Sequence, residues 1–140
     1  MIEFVDTNVF CYAHDPGAGQ KYEISVDLVK RLVEDRAGSI STQVLVEFYS
    51  AATRKLRLTS QYAENVLDDL AGWHLHRPDH ASVIGAVHLQ RRHKLAWYDA
   101  MILNSAIETG SSILWTEDFS DGQRFGDLVI RNPYKNARIV

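Results

Sequence analysis

The chain has a single cysteine, Cys11, among 140 residues. One thiol excludes an internal disulfide framework and fits a reducing compartment. Cys11 itself reads as a small apolar residue rather than a nucleophile. No apolar run reaches the roughly 18 residues of a membrane-spanning helix, so no span is expected. The N-terminus lacks a basic region followed by a long apolar stretch. No secretory signal is therefore expected, and the cytoplasm is the expected compartment. An excess of positive charge is missing too: the formal net charge is −3. That removes the simplest indication of nucleic-acid binding. Local patches decide such binding, however, and a cluster of acids lowers the total. Internal repeats and low-complexity tracts are also absent.

The length falls within the usual size of one domain and is enough to bury a core without staples. One domain over residues 1–140 is expected. Short apolar strands alternate with helical spacing along it. Ile2, Phe4 and Val5 read as a strand, and "HDPGAGQ", 14–20, as a loop. Ile24, Leu28, Val29, Leu32 and Val33 give a helix over 21–35, ended by Gly38. Ser39 to Ser41 form a strand, and Thr42 is the expected N-cap of a helix running from Gln43 to Arg54. Further helices are predicted over 60–70, capped by Ser60 or Thr59, over 80–92, and over 98–110, ending at Gly110. "SSILWT", 111–116, and "DLVIRN" read as strands. This alternation predicts an α/β fold with a small, mostly parallel central sheet flanked by helices. Ligands of such sheets sit beyond the carboxyl ends of the strands.

Four acids stand in comparable places. Asp6 ends the first strand, and Asp118 follows the strand at 113–115. Glu47 is the one charge in "TQVLVEFYSAA", 42–52. That segment is apolar on nearly all sides and is expected to be buried. Asp99 is the one charge in "LAWYDAMILNSA", 95–106. Each acid has an ordinary alternative: a helix cap or turn for Asp6, an escape to solvent or an Arg partner for Glu47, a helix-dipole acid for Asp99 and a turn for Asp118. Together they are harder to explain so. Parallel, adjacent strands would bring all four into one cleft, where two carboxylates about 4 Å apart repel by ~4 kcal/mol at an effective dielectric near 20. Such a cluster needs protons, basic partners or a divalent cation. Oxygen-only ligands suit Mg²⁺ or Mn²⁺.

"VDTNVF", "STQVLVEF", "WYDAMILNSA" and "LWTEDFSDGQRF", in this order, resemble the sequence blocks of PIN-domain ribonucleases, especially VapC-type toxins of toxin–antitoxin pairs. The likeness runs from Ile2 to about Pro133, and "VIRNPY" is similar to the family's last strand and tail. It implies a PIN-like fold and a metal-dependent, single-strand-specific endoribonuclease. Asp6, Glu47, Asp99 and Asp118 match the family's acidic quartet, with Asp6 and Asp99 the firmest metal ligands. Thr7 or Asn8 would have supporting roles, and Glu117 and Asp121 stand beside the fourth acid. The resemblance also implies Mg²⁺, replaceable by Mn²⁺, a cognate antitoxin and a homodimer.

For RNA contacts the sequence offers "QRRHK", 90–94, and "TRKLR", 53–57, each equally readable as a helix-end charge bias. Trp97 and Tyr98 read as base-stacking or, more simply, as core residues. His74, His76 and His80 read as a solvated loop cluster. Three other functions compete: a housekeeping nuclease of the same fold, a catalytically silent binding module, and a phosphoryl-accepting receiver domain. The intact quartet argues against the silent module. The receiver reading needs an acidic pair after the first strand, and "VDTN" supplies one acid.

Overall fold

The computed structural model describes residues 1–135; positions 136–140 of the predicted domain lie outside the described residues. Its frame is a six-stranded sheet with six α-helices. In chain order the elements are β1 (Glu3–Val5), α1 (Thr7–Ala13), α2 (Gln20–Asp35), β2 (Gly38–Ser41), α3 (Thr42–Arg54), α4 (Ser60–Asp69), β3 (His74–His76), α5 (His80–His93), α6 (Trp97–Glu108), β4 (Ile113–Trp115), β5 (Arg124–Phe125) and β6 (Leu128–Arg131). The strand order is β3-β2-β1-β4-β6-β5. Every pairing is parallel except β5 with β6. The expected α/β architecture with a mostly parallel sheet is therefore present. No helix among the described residues is long and apolar enough to cross a membrane.

The order of the strands fixes where ligands can sit. The chain winds outward from β1 through β2 to β3, then returns to place β4 on the other side of β1. The winding reverses between β1 and β4, and a crevice opens at the carboxyl ends of strands that part in this way. The core lies around the same strands. Phe4, Val5, Ile40, Leu114 and Ile130 of the sheet are fully buried against Leu32, Phe48 and Leu103 of the helices.

Several local expectations are corrected. Gly38 does not end a helix. α2 stops at Asp35, and Arg36 makes the left-handed turn with φ 52°. Gly38 instead opens β2, where a Cβ would lie 2.3 Å from the Trp73 ring. The N-cap of α3 is Ser41, whose Oγ accepts from the Val44 amide. Ser41 keeps the extended conformation of β2, whereas Thr42 is already helical. For α4 the cap is Thr59. The loop at 14–20 contains a short 3₁₀ turn, Pro16–Ala18, capped by Asp15. His74 and His76 belong to strand β3 rather than a loop. There the His76 ring hydrogen-bonds Ser105 Oγ at 2.9 Å and Glu108 Oε2 at 2.6 Å. Finally, α3 is not buried all round: Val44, Phe48 and Ala52 face the core, but Val46 is 65% exposed.

The close approach of Trp73 to β2 gives a test. The ring also makes an edge-on contact with Phe10, its centroid 5.4 Å away. Gly38→Ala is expected to destabilise the protein by about 1–3 kcal/mol, the usual cost of overpacking. Thermal denaturation checks this, and an unchanged melting temperature would mean that the indole simply moves aside.

Candidate active site

β1 and β4 are paired in register, Val5 against Trp115. The residues that follow, Asp6 and Thr116, therefore stand side by side at the carboxyl edge of the sheet. The Asp6 amide continues the ladder by donating to the Trp115 carbonyl at 3.0 Å. Its side chain is 5% exposed. Oδ1 accepts from the Thr7 amide at 2.7 Å and Oδ2 from the Thr116 hydroxyl at 2.8 Å. Asp6 is thus the N-cap of α1, the ordinary role foreseen for it, and a member of an acidic cluster as well.

Asp99 reaches the same place from the first turn of α6, a helix that starts without a side-chain cap. Asp118 comes from the loop after β4, its amide held by Thr116 Oγ1 at 3.1 Å. One carboxylate oxygen from each of Asp6, Asp99 and Asp118 lies within 4.8 Å of the others. Glu47 stands outside that set of three but lines the same cleft, of about 410 Å³. Its Oε1 accepts from Thr7 Oγ1 at 2.7 Å and its Oε2 from Gln43 Nε2 at 3.1 Å. The sequence thus nominated four acids that share one cleft.

The two neighbouring acids lie elsewhere. Glu117 accepts from Tyr12 Oη and from Lys21 Nζ. Asp121 is bound by the Asn132 amide and Lys135 Nζ. Neither lines the cleft. Thr7, ranked low in the sequence, bonds both Asp6 and Glu47. Thr116, read from the sequence as the last residue of the strand 111–116, instead stands just after β4, in a place that mirrors that of Asp6. Of the basic runs, "TRKLR" supplies Arg54 and Lys55 to the cleft, while Arg91 and Arg92 do not line it. Tyr98 also lines it and is 66% exposed, so its reading as a core residue is corrected. Cys11 packs against the core, and burial pushes its thiol up to about 11, as befits an apolar residue rather than a nucleophile.

The electrostatics follow from this crowding. Burial, with the charges of Asp118 and Glu47, pushes the Asp6 carboxyl up to about 7, against the bonds from Thr116 and Thr7. Asp99 is also raised, by burial and then by Asp118 and Glu47. Asp118 is raised by burial and by Glu117. A set of hard oxygen donors that repel one another fits a divalent cation such as Mg²⁺ or Mn²⁺.

A family model for the PIN domain matches residues 4–120. The chain belongs to the PIN domain family. No curated protein matches the sequence significantly. Among solved structures, this PIN domain is similar to VapC20 of Mycobacterium tuberculosis, described as a sarcin–ricin-loop-cleaving toxin. They share 18% identity over 82% of this chain and 88% of that one, with a TM-score of 0.66. A toxin–antitoxin complex from Klebsiella pneumoniae gives 20% identity over 94% and 98%, with a TM-score of 0.67. VapBC2 from Rickettsia felis, bound to a DNA fragment from its promoter, gives 19% identity over 94% and 98%, with a TM-score of 0.68. At these identities the likeness establishes the fold.

The raised carboxyls set a pH dependence. An Asp titrates near 3.9 when unfolded, and Asp6 near 7 when folded. Between these values the folded state holds the extra proton. The Asp6 contribution to metal-free stability therefore rises as pH falls from 7 to 5, against the opposing contribution of His14, whose imidazole is held below its ordinary range by burial. Below about 4 that gain ends, and stability falls because Glu3, Asp79, Glu108 and Asp121 have lowered values in the fold. Melting temperatures in chelator should be higher at pH 5 than at pH 7, and Asp6→Asn should shrink that difference. An equal or larger difference in the variant would contradict the assignment to Asp6.

Proposed function

We propose that this PIN domain is a Mg²⁺-dependent endoribonuclease, with Mn²⁺ as a substitute, and the toxin of a toxin–antitoxin pair. The observation that carries the reading is the meeting of Asp6, Asp99 and Asp118 oxygens within 4.8 Å. Family membership and neighbours described as toxins support it. In this reading Asp6, Asp99 and Asp118 hold the cation, and Glu47 completes the site. A divalent cation bound there supplies Lewis-acid stabilisation of charge at the scissile phosphate and strengthens water as a nucleophile near neutral pH. Glu47, anchored by Thr7 and Gln43, orients the attacking water and takes its proton. Thr116 fixes Asp6 and the Asp118 amide together, which keeps two of the carboxylates in place when charge changes around them. The proposal includes a single domain over 1–140, a cytoplasmic location, a homodimer and a cognate antitoxin as partner. The neighbours described as toxin–antitoxin complexes support that partner.

A silent binding module of the same fold is the weaker reading. The cluster raises the pKa of three acids and so costs stability near neutral pH, a cost that a module without chemistry would have no use for.

Two measurements on the purified protein test the proposal. RNA cleavage should vanish in EDTA and return with Mg²⁺ or Mn²⁺; cleavage that persists in chelator would falsify the mechanism. Asp6→Asn keeps the cap, since Asn and Asp cap helices about equally, but removes one ligand charge. The variant should cut RNA at least ~100-fold more slowly while melting at the same or a higher temperature in chelator. Wild-type cleavage by this variant would leave Asp6 a cap and nothing more.

A further inference from the structure

The cleft has a wall that the acids do not explain. Arg54 and Lys55 line it together with the four carboxylates. Among the described residues, neither cation is in an ion pair. Their place at the end of α3 suits the helix dipole, which accounts for positive charge there but not for its position on the cleft. Tyr98 is the other anomaly: a large aromatic ring, 66% exposed, next in sequence to Asp99. Its backbone is tied to the opposite end of α3, where Gln43 Nε2 donates to the Tyr98 carbonyl at 3.2 Å. The same Gln43 amide holds Glu47. From Gln43 to Lys55 the helix rises about 18 Å at 1.5 Å per residue. A stacked single strand covers that length in about five nucleotides at 3.4 Å each, and an extended one in fewer.

We propose that an RNA single strand lies along α3, with one unpaired base stacked on Tyr98 and a phosphate beyond the acids held by Arg54 and Lys55. This deepens the ribonuclease reading and rests on it. The strand's two anchors then lie on either side of Glu47, and the acids face the backbone between them. Stacking on Tyr98 requires a free base face, so the track selects unpaired over paired RNA. The phosphate contacts are indifferent to sequence. Beyond Lys55 a second cavity, shared with Asn8 and Ala51, continues past Cys11 and Tyr12, which gives the strand a path out of the cleft.

Binding without cleavage tests this. A single-stranded oligoribonucleotide that spans α3 and carries a fluorescent adenine analogue is titrated in chelator at several salt concentrations. Anisotropy reports affinity, and quenching of the analogue reports stacking. The wild-type protein should bind and quench, and should prefer the strand to its duplex. Tyr98→Ala should bind about tenfold more weakly and lose the quenching, while Tyr98→Phe should retain both. The double variant Arg54→Ala/Lys55→Ala should keep the quenching at saturation but show a salt dependence flatter by roughly 1.4 in slope. All three side chains are exposed, and unchanged melting temperatures would confirm intact folding. Wild-type affinity and quenching in Tyr98→Ala would overturn the proposal and leave this ring to a protein partner; so would an unchanged salt slope in the double variant, or a wild-type protein that binds no single strand. If RNA is cut in Mg²⁺ while these variants bind normally, the track fails and the nuclease reading stands. If the strand binds as described and is never cut, the reverse holds.

Discussion

The carboxylate of Asp6 is buried at the end of the central strand, and much of the surrounding structure exists to hold it there. A buried carboxylate needs hydrogen-bond donors. Here one donor is the first amide of α1 and the other is the Thr116 hydroxyl. The second exists only because β1 and β4 pair with Val5 opposite Trp115. A slip of one residue would turn Thr116 to the other face of the sheet, leaving Oδ2 without its partner and Asp118 without its amide contact. Strand register, helix capping and the position of Asp118 are therefore one constraint rather than three. The reversal of winding between β1 and β4 opens the crevice into which these groups point.

The same three-residue strand carries a second buried carboxylate, and the fold treats it in the opposite way. Glu3 receives a two-pronged contact from Arg31, at 2.8 and 3.1 Å, and a bond from the Trp115 indole at 2.9 Å. The Arg31 guanidinium holds its carboxyl below the ordinary range. At the other end of β1, Asp6 is given hydroxyl and amide donors but no cation, and other acids are placed against it. The charge of Glu3 is satisfied within the protein. That of Asp6 is left to be satisfied from outside, the pattern expected of a site built to hold a ligand rather than to stabilise the fold.

This contrast explains what was legible in the sequence. Asp6 and Asp118 were visible because each follows an apolar strand, and Glu47 and Asp99 because each is the lone charge in an apolar segment. The parallel sheet was visible in the alternation of strands and helices. Strand β3 was not, since "HLH" has a single apolar residue and little length, and its pairing with β2 is a property of the assembled sheet. Nothing in the sequence marks Glu3, because its partner Arg31 lies 28 residues away on α2. Gly38 looks like a helix stop in the sequence for a related reason: its neighbour is Trp73, and only the tertiary fold brings the ring against it. Thr116 carries no charge to draw attention, and its importance comes wholly from register.

Helix α3 shows how core packing sets the chemistry of the cleft. With 3.6 residues per turn each residue advances about 100°. Val44, Phe48 and Ala52 form one stripe and are fully buried. Glu47, Ser50, Ala51 and Arg54 form the adjoining stripe, centred roughly 110° away, and line the cleft. Val46 and Tyr49 fall on the remaining side and are exposed at 65% and 37%. What looked like a helix apolar all round is thus divided among core, site and surface. The orientation of Glu47 is set by neither its charge nor a cap: burial of Phe48 beside it fixes the rotation of the whole helix. Small Ser50 and Ala51 leave the space between Glu47 and Arg54 open, so the acidic part of the cleft and its cationic end stay continuous along one helix face.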